Sequence, residues 1–156
     1  MKKMRRFFMP VLCLFTALFF PAFLHGQTAK ALDAILEKEH ISNAEAAWVV
    51  LAAAELVGAN ASATEAFDYA LSHKWLPLKA EAGTEIKLDG LSLLIMKSFD
   101  IKGGLMYTYL PRGRYAYRAM VHRDLIQGFA DPSLPVSGEQ VLFIMSRVLA
   151  YTEGSL

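Results

Sequence analysis

After an apolar run from Phe7 to Leu24, hydrophobic residues in this chain recur every three or four positions, the period of an α-helix. Ala29 to Lys38 sets Leu32, Ile35 and Leu36 on one face. Ala44 to Val57 is apolar nearly all round, the pattern of a buried helix, and Gly58 and Asn60 are expected to end it. Ala63 to Lys74 aligns Phe67, Ala70 and Leu71 ahead of Pro77, and Leu88 to Phe99 aligns Leu91, Leu94, Ile95 and Phe99 ahead of Gly103-Gly104. Tyr115 to Ile126 follows, with Gly128 as its expected cap, and a last helix runs from Ser137 to about Tyr151. Its apolar residues Val141, Leu142, Ile144, Met145, Val148 and Leu149 cover more than one stripe. Only "LMYTYL" at 105–110 reads as extended. The pattern predicts an all-α fold of about six helices.

Three of these helices begin alike. Ser42 with Glu45, Ser62 with Glu65, and Ser137 with Gln140 fit the S/T-x-x-E/Q capping box. In that device the serine oxygen accepts a backbone N–H one turn in, and the acid or amide bonds back to the serine's own N–H. Longer similarities exist as well. "YALSHKWL" at 69–76 aligns with "RAMVHRDL" at 118–125, pairing His73 with His122. "IKLDGLSLLIMKSF" at 86–99 aligns with "VSGEQVLFIMSRVL" at 136–149, and "ISNAEAAWVVLAAA" at 41–54 is the same second half again. The chain therefore reads as a half repeat, 29–60, followed by full helix–loop–helix repeats at 62–101 and 111–152.

These units resemble the bacterial S-layer homology (SLH) repeat. There a glycine-ended helix leads through a G-x-x-D-G-x-F-x-P loop into a helix opened by I-T-R-A-E. Ile41-Ser42-Asn43-Ala44-Glu45 matches the opener, Gly128 to Leu134 follows the loop, and Val136-Ser137-Gly138-Glu139 follows the opener again. The loop at 77–90 does not keep the pattern. The resemblance implies three units around a pseudo-threefold axis, here with the first unit halved, and a module that docks on cell-wall polymer or peptidoglycan. The family opener's arginine, which meets anionic polymer, is replaced here by Asn43, Leu88 and Gly138. None of the three supplies a charge-assisted donor.

The ends change the electrostatic picture. Lys2, Lys3, Arg5 and Arg6 precede the apolar run, and His25-Gly26-Gln27 breaks it, the layout of a secretory signal over 1–27 or of an uncleaved anchor. Residues 28–156 are then expected as one exported helical domain, placed in the periplasm or cell envelope. Four of the sixteen basic residues lie in the signal, leaving twelve against fifteen acids, a net charge of about −3. That excludes bulk attraction to nucleic acid. The single cysteine, Cys13, also lies in the signal, so the remainder must hold together by burial rather than by disulfides.

Candidate chemistry concentrates in "YTYLPRGRYAYR" and just beyond. Tyr107, Tyr109, Arg112, Arg114, Tyr115, Tyr117, Arg118 and Arg123 combine ring faces suited to sugars with guanidinium groups suited to carboxylate or phosphate. They form the predicted ligand surface, for wall glycan or peptidoglycan. His40, His73 and His122 lie at no metal-ligand spacing, the acids pair nowhere as a glycosidase requires, and Gly103-Gly104 lacks a phosphate-loop ending. Asp131 is expected to fold back on its own turn. No cofactor, metal or catalytic group is expected, and membrane contact only through an uncleaved N-terminus. The functional expectation is a non-catalytic binding or scaffolding module. A protein–protein module of the periplasm or outer membrane is the alternative, and a small envelope hydrolase the remote one.

Overall fold

The computed structural model describes residues 22–58, 60–77, 79–127 and 131–154, and each predicted helix is found there. Seven α-helices and no strand stand among the described residues: α1 Ala22–Leu36, α2 Asn43–Ala53, α3 Ala63–Ser72, α4 Leu88–Ser98, α5 Leu105–Tyr109, α6 Gly113–His122 and α7 Gly138–Thr152. The chain divides into two compact units, residues 1–34 and 35–156. The first holds most of α1, whose helix already begins at Ala22, inside the segment assigned to the signal. The rest of that signal, residues 1–21, lies outside the described residues. Among the described residues no helix is long and apolar enough to cross a membrane.

The helix starts follow the capping chemistry. Ser42 and Ser137 make complete capping boxes with Glu45 and Gln140. Ser62 Oγ accepts from the Glu65 N–H at 3.1 Å, the forward half of the device. The Glu45 carboxylate is further tied to the Lys38 ammonium. Burial alone pushes its pKa up, but Lys38 and the two Ser42 donors outweigh burial and hold it below the ordinary carboxylate value.

The helix ends differ from expectation. α2 stops at Ala53 rather than near Gly58, and α6 stops at His122, ahead of Gly128, which lies outside the described residues. The stopping residues are not glycines. Glu55, Lys74, Asp100 and Asp124 take φ of 57°, 58°, 49° and 57°, the left-handed region. In each case the next residue's N–H reaches back five positions: Leu56 to Leu51, Trp75 to Ala70, Ile101 to Met96 and Leu125 to Met120, at 2.9–3.0 Å. These are Schellman endings built on residues with a Cβ, each strained by about 1 kcal/mol relative to glycine. "LMYTYL" is also corrected, from extended chain to the one-turn helix α5. Tyr107 turns inward, and α5 packs beside α6.

The three helix openers meet at a ring of backbone hydrogen bonds. Ile41 N–H donates to Val136 O at 3.0 Å, Val136 N–H to Ile86 O at 3.1 Å, and Ile86 N–H to Ile41 O at 3.0 Å. All three side chains are fully or almost fully buried. Two residues further along each opener, Asn43, Leu88 and Gly138 donate their N–H groups to Thr84 O, Leu134 O and Lys38 O. The loop at 77–90, whose sequence departs from the pattern, nevertheless turns as the later loop does: Thr84 N–H bonds Glu81 O as Leu134 N–H bonds Asp131 O. Close approach requires glycine at the ring's edge, because a Cβ on Gly138 would lie 1.7 Å from Ile35 O.

The helices that pack most closely are α2 with α3 and α4 with α6. The packed pairs therefore straddle the borders of the units read from sequence. Leu91, Leu94, Ile95 and Met96 of α4, Met120 and Leu125 at α6, and Val141 and Val148 of α7 are buried in the core. Leu149 is partly exposed, so α7 is apolar beyond its buried stripe.

Candidate functional site

α6 begins at Gly113, whose Cβ, if it had one, would meet Asp89 O at 2.7 Å, so glycine lets the α6 start lie against α4. From that start the helical period brings Tyr115, Arg118, Ala119 and His122 to one side. Facing them are Gly103, Gly104 and the first turn of α5. Together they border an open groove of about 630 Å³. Of the predicted ligand residues, Tyr107, Tyr115, Arg118 and Arg123 border it, while Tyr109, Arg112, Arg114 and Tyr117 do not. Arg112 and Arg114 are exposed beside it, and Tyr117 is half-buried. No acidic side chain lines the groove.

Two of the residues brought together have structural duties. Arg123 donates from Nη1 to Ala119 O at 3.2 Å and from Nη2 to Lys102 O, pinning the loop after α4 to the end of α6. Tyr107 is buried between the groove and a smaller hollow of 200 Å³ lined by Lys97, Asp100 and Pro111. Among the described residues its hydroxyl has no hydrogen-bond partner, and Lys97 Nζ stands 5.7 Å from its ring centroid. Burial, and then the Asp100 charge, push its pKa up to about 12. Arg118 and His122 are the exposed polar groups of the groove, with Tyr115 half-buried beside them.

The histidines do not correspond as their alignment suggests. The left-handed positions Lys74 and Asp124 set the register, which places His73 opposite Arg123 rather than His122. The hydrogen bonds agree: His73 Nδ1 lies 2.8 Å from Tyr69 O, as Arg123 bonds Ala119 O. His73 is exposed and stacks on Tyr69 with centroids 4.2 Å apart, and Trp75 closes the cluster at 5.2 Å from His73. The residues Y-x3-H-x-W carry that cluster, and the helical period of its first two members was the available signal. Asp131 behaves as expected, accepting from Ser133 N–H at 2.8 Å and Oγ at 2.7 Å, bonds that lower its pKa. Among the described residues no group of three His, Cys, Asp or Glu is placed to hold a metal ion.

The opener positions are structural too. Asn43 is 6% exposed, and its Nδ2 donates to Glu81 O, Thr84 O and Thr84 Oγ1 at 3.0, 3.0 and 2.8 Å. Leu88 and Gly138 are buried. These three positions thus present no polar group outward, whereas the groove between α5 and α6 presents Arg118 and His122. Comparison with protein-family models, curated proteins and solved structures gives no match.

Proposed function

We propose that this protein is a non-catalytic docking module of the bacterial cell envelope, and that it holds an anionic wall glycan or peptidoglycan strand along the α5–α6 groove. The observation that carries the reading is the groove's composition. Tyr115 offers a partly exposed ring, Arg118 and His122 offer donors, and no acid lines the site. A ring face beside a guanidinium suits a sugar that bears a carboxylate or phosphate. The resemblance to the SLH repeat adds support, because it implies three units around one axis, and three helix openers meet here through Ile41, Ile86 and Val136. The opener arginines are absent, so the ligand falls to the groove instead.

The test is co-sedimentation of the protein with purified sacculi against a blank matrix. Arg118→Ala with Tyr115→Ala is expected to lower the bound fraction at least about tenfold, from one charge-assisted bond and one stacked ring. Arg114→Ala, outside the groove, is expected to change it little. Equal binding by the groove double variant and the parent protein overturns the reading.

A further inference from the structure

Charge and apolar exposure coincide in one part of the molecule. Residues 101–123 hold Lys102, Arg112, Arg114, Arg118 and Arg123 and no acid. The rest of the chain beyond residue 21 holds seven basic residues against fifteen acids. Two of the five cations are occupied, Lys102 by Asp100 at 2.7 Å and Arg123 by backbone carbonyls. Arg112, Arg114 and Arg118 are exposed and make no ion pair among the described residues.

The same segment carries the three most exposed large apolar side chains among the described residues, Tyr109, Leu105 and Met106, with Leu110 beside them. Leu105, Met106, Tyr109 and Leu110 are 79%, 63%, 80% and 45% exposed. They sit at i, i+1, i+4 and i+5 of α5 and its cap, so they share one side of that turn. Tyr107, pointing the other way, anchors the turn in the protein. Three other methionines, Met96, Met120 and Met145, are buried, whereas Met106 projects.

We propose that this ridge docks on an anionic lipid bilayer. Leu105, Met106, Tyr109 and Leu110 enter the boundary between headgroups and acyl chains, while Arg112, Arg114 and Arg118 meet lipid phosphates. Leu105 and Met106 stand at the rim of the groove, Tyr109 and Leu110 lie outside it, and all four side chains are exposed. A rigid protein partner would need a matching cavity to receive them, whereas a bilayer interface accommodates them without one. Tyrosine favours that boundary, and arginine reaches headgroups with its apolar stem laid along the interface. Charge selects anionic lipid, since each basic residue near such a surface strengthens partitioning about fivefold. The proposal goes beyond the wall-polymer reading: it shares Leu105, Met106 and Arg118 with the groove, but Tyr109, Leu110, Arg112 and Arg114 lie outside it. It also adds a membrane contact independent of the N-terminal run.

The test needs a local signal, because residues 7–24 can hold the full chain on lipid by themselves. A full-length Tyr109→Trp protein is titrated with phosphatidylcholine vesicles, with and without phosphatidylglycerol, and with brominated acyl chains as quencher. The parent protein is titrated alongside, and its Trp48 and Trp75 emission is subtracted. The expected result is a blue shift and quenching of the introduced indole with phosphatidylglycerol present and little change without it. Adding Arg112→Gln and Arg114→Gln is expected to weaken that response about 25-fold. Leu105→Trp, read in the same way, serves if the first variant folds poorly. No blue shift with either lipid overturns the proposal, as does an equal shift with both. A shift produced by protein concentration alone would make the ridge a contact between copies, and also overturns it. Sacculi binding by Tyr109→Ser with Leu110→Ser reads the wall-polymer proposal separately.

Discussion

Asn43 Nδ2 donates to both the carbonyl and the hydroxyl oxygen of Thr84, at 3.0 and 2.8 Å, and so fastens the loop before α4 to the start of α2. Asn43, 6% exposed, is an internal brace. Asn43→Ala leaves buried acceptors without their donor and is expected to cost about 2 kcal/mol in urea unfolding. Asn43→Asp should cost more than alanine, because it turns a carboxylate toward carbonyl oxygens. The order of the two variants checks the role.

The left-handed helix ends offer stabilisation. Glu55 and Lys74 are exposed and held at positive φ without glycine. Glu55→Gly and Lys74→Gly are each expected to raise stability by about 0.5–1 kcal/mol, and Lys74→Val to lower it, as read by thermal melting.

Two glycines should respond oppositely to alanine. At Gly138 the new Cβ would collide with the backbone oxygen of Ile35, and at Gly90 it would meet only Ile86 Cγ1 at 3.6 Å. Gly138→Ala is expected to destabilise by about 3 kcal/mol or more, since a backbone atom must move. Gly90→Ala, inside α4, should stabilise by about 0.5–1 kcal/mol.

Tyr107 should dominate the alkaline limb. Its hydroxyl is buried without a partner among the described residues, and its pKa is raised to about 12. The unfolded chain ionises near pH 10, so the unfolded state holds fewer protons between pH 10 and 12. The tyrosine's contribution is therefore complete below pH 10 and is lost as pH rises toward 12. Tyr107→Phe should flatten that loss and add about 1 kcal/mol at neutral pH. Ultraviolet titration of the phenolates, with melts across the range, checks both.

Glu45 should act at the acid end. Its lowered pKa means that its contribution is present above the unfolded value, near 4.5, and disappears as pH falls through the folded one. Lys38→Met removes one source of that lowering. The variant is expected to lose less stability than the parent between neutral pH and pH 3, as measured by denaturant melts.

The helix starts were legible because capping is chemistry between neighbours: Ser42 and Ser137 announce themselves three residues ahead of Glu45 and Gln140. The stops were not. A rule that looks for glycine passes over Glu55 and Asp124, whose positive φ lets the next N–H, of Leu56 or Leu125, reach back to Leu51 O or Met120 O. The same oversight shifted the alignment by one and paired His73 with His122. "LMYTYL" misled because β-prone residues fill a turn held by the burial of Tyr107. The ring of Ile41, Ile86 and Val136 was not legible in the sequence, since backbone bonds between distant residues leave little trace in local pattern. Half of the predicted ligand residues share the groove because α6 places Tyr115 and Arg118 on one side, whereas Tyr109 belongs to the outer side of α5.

That ring governs how the chain can acquire its structure. A stack of units open at both ends can grow or fray one member at a time, but a closed circle of three has no last member to lose. Until Val136 has been synthesised, Ile41 lacks its acceptor and Ile86 lacks its donor, so any shorter product leaves polar backbone stranded in an apolar interior. Residues 35–156 should accordingly melt in a single cooperative step, and the newborn chain should remain open to proteases until its final helix arrives.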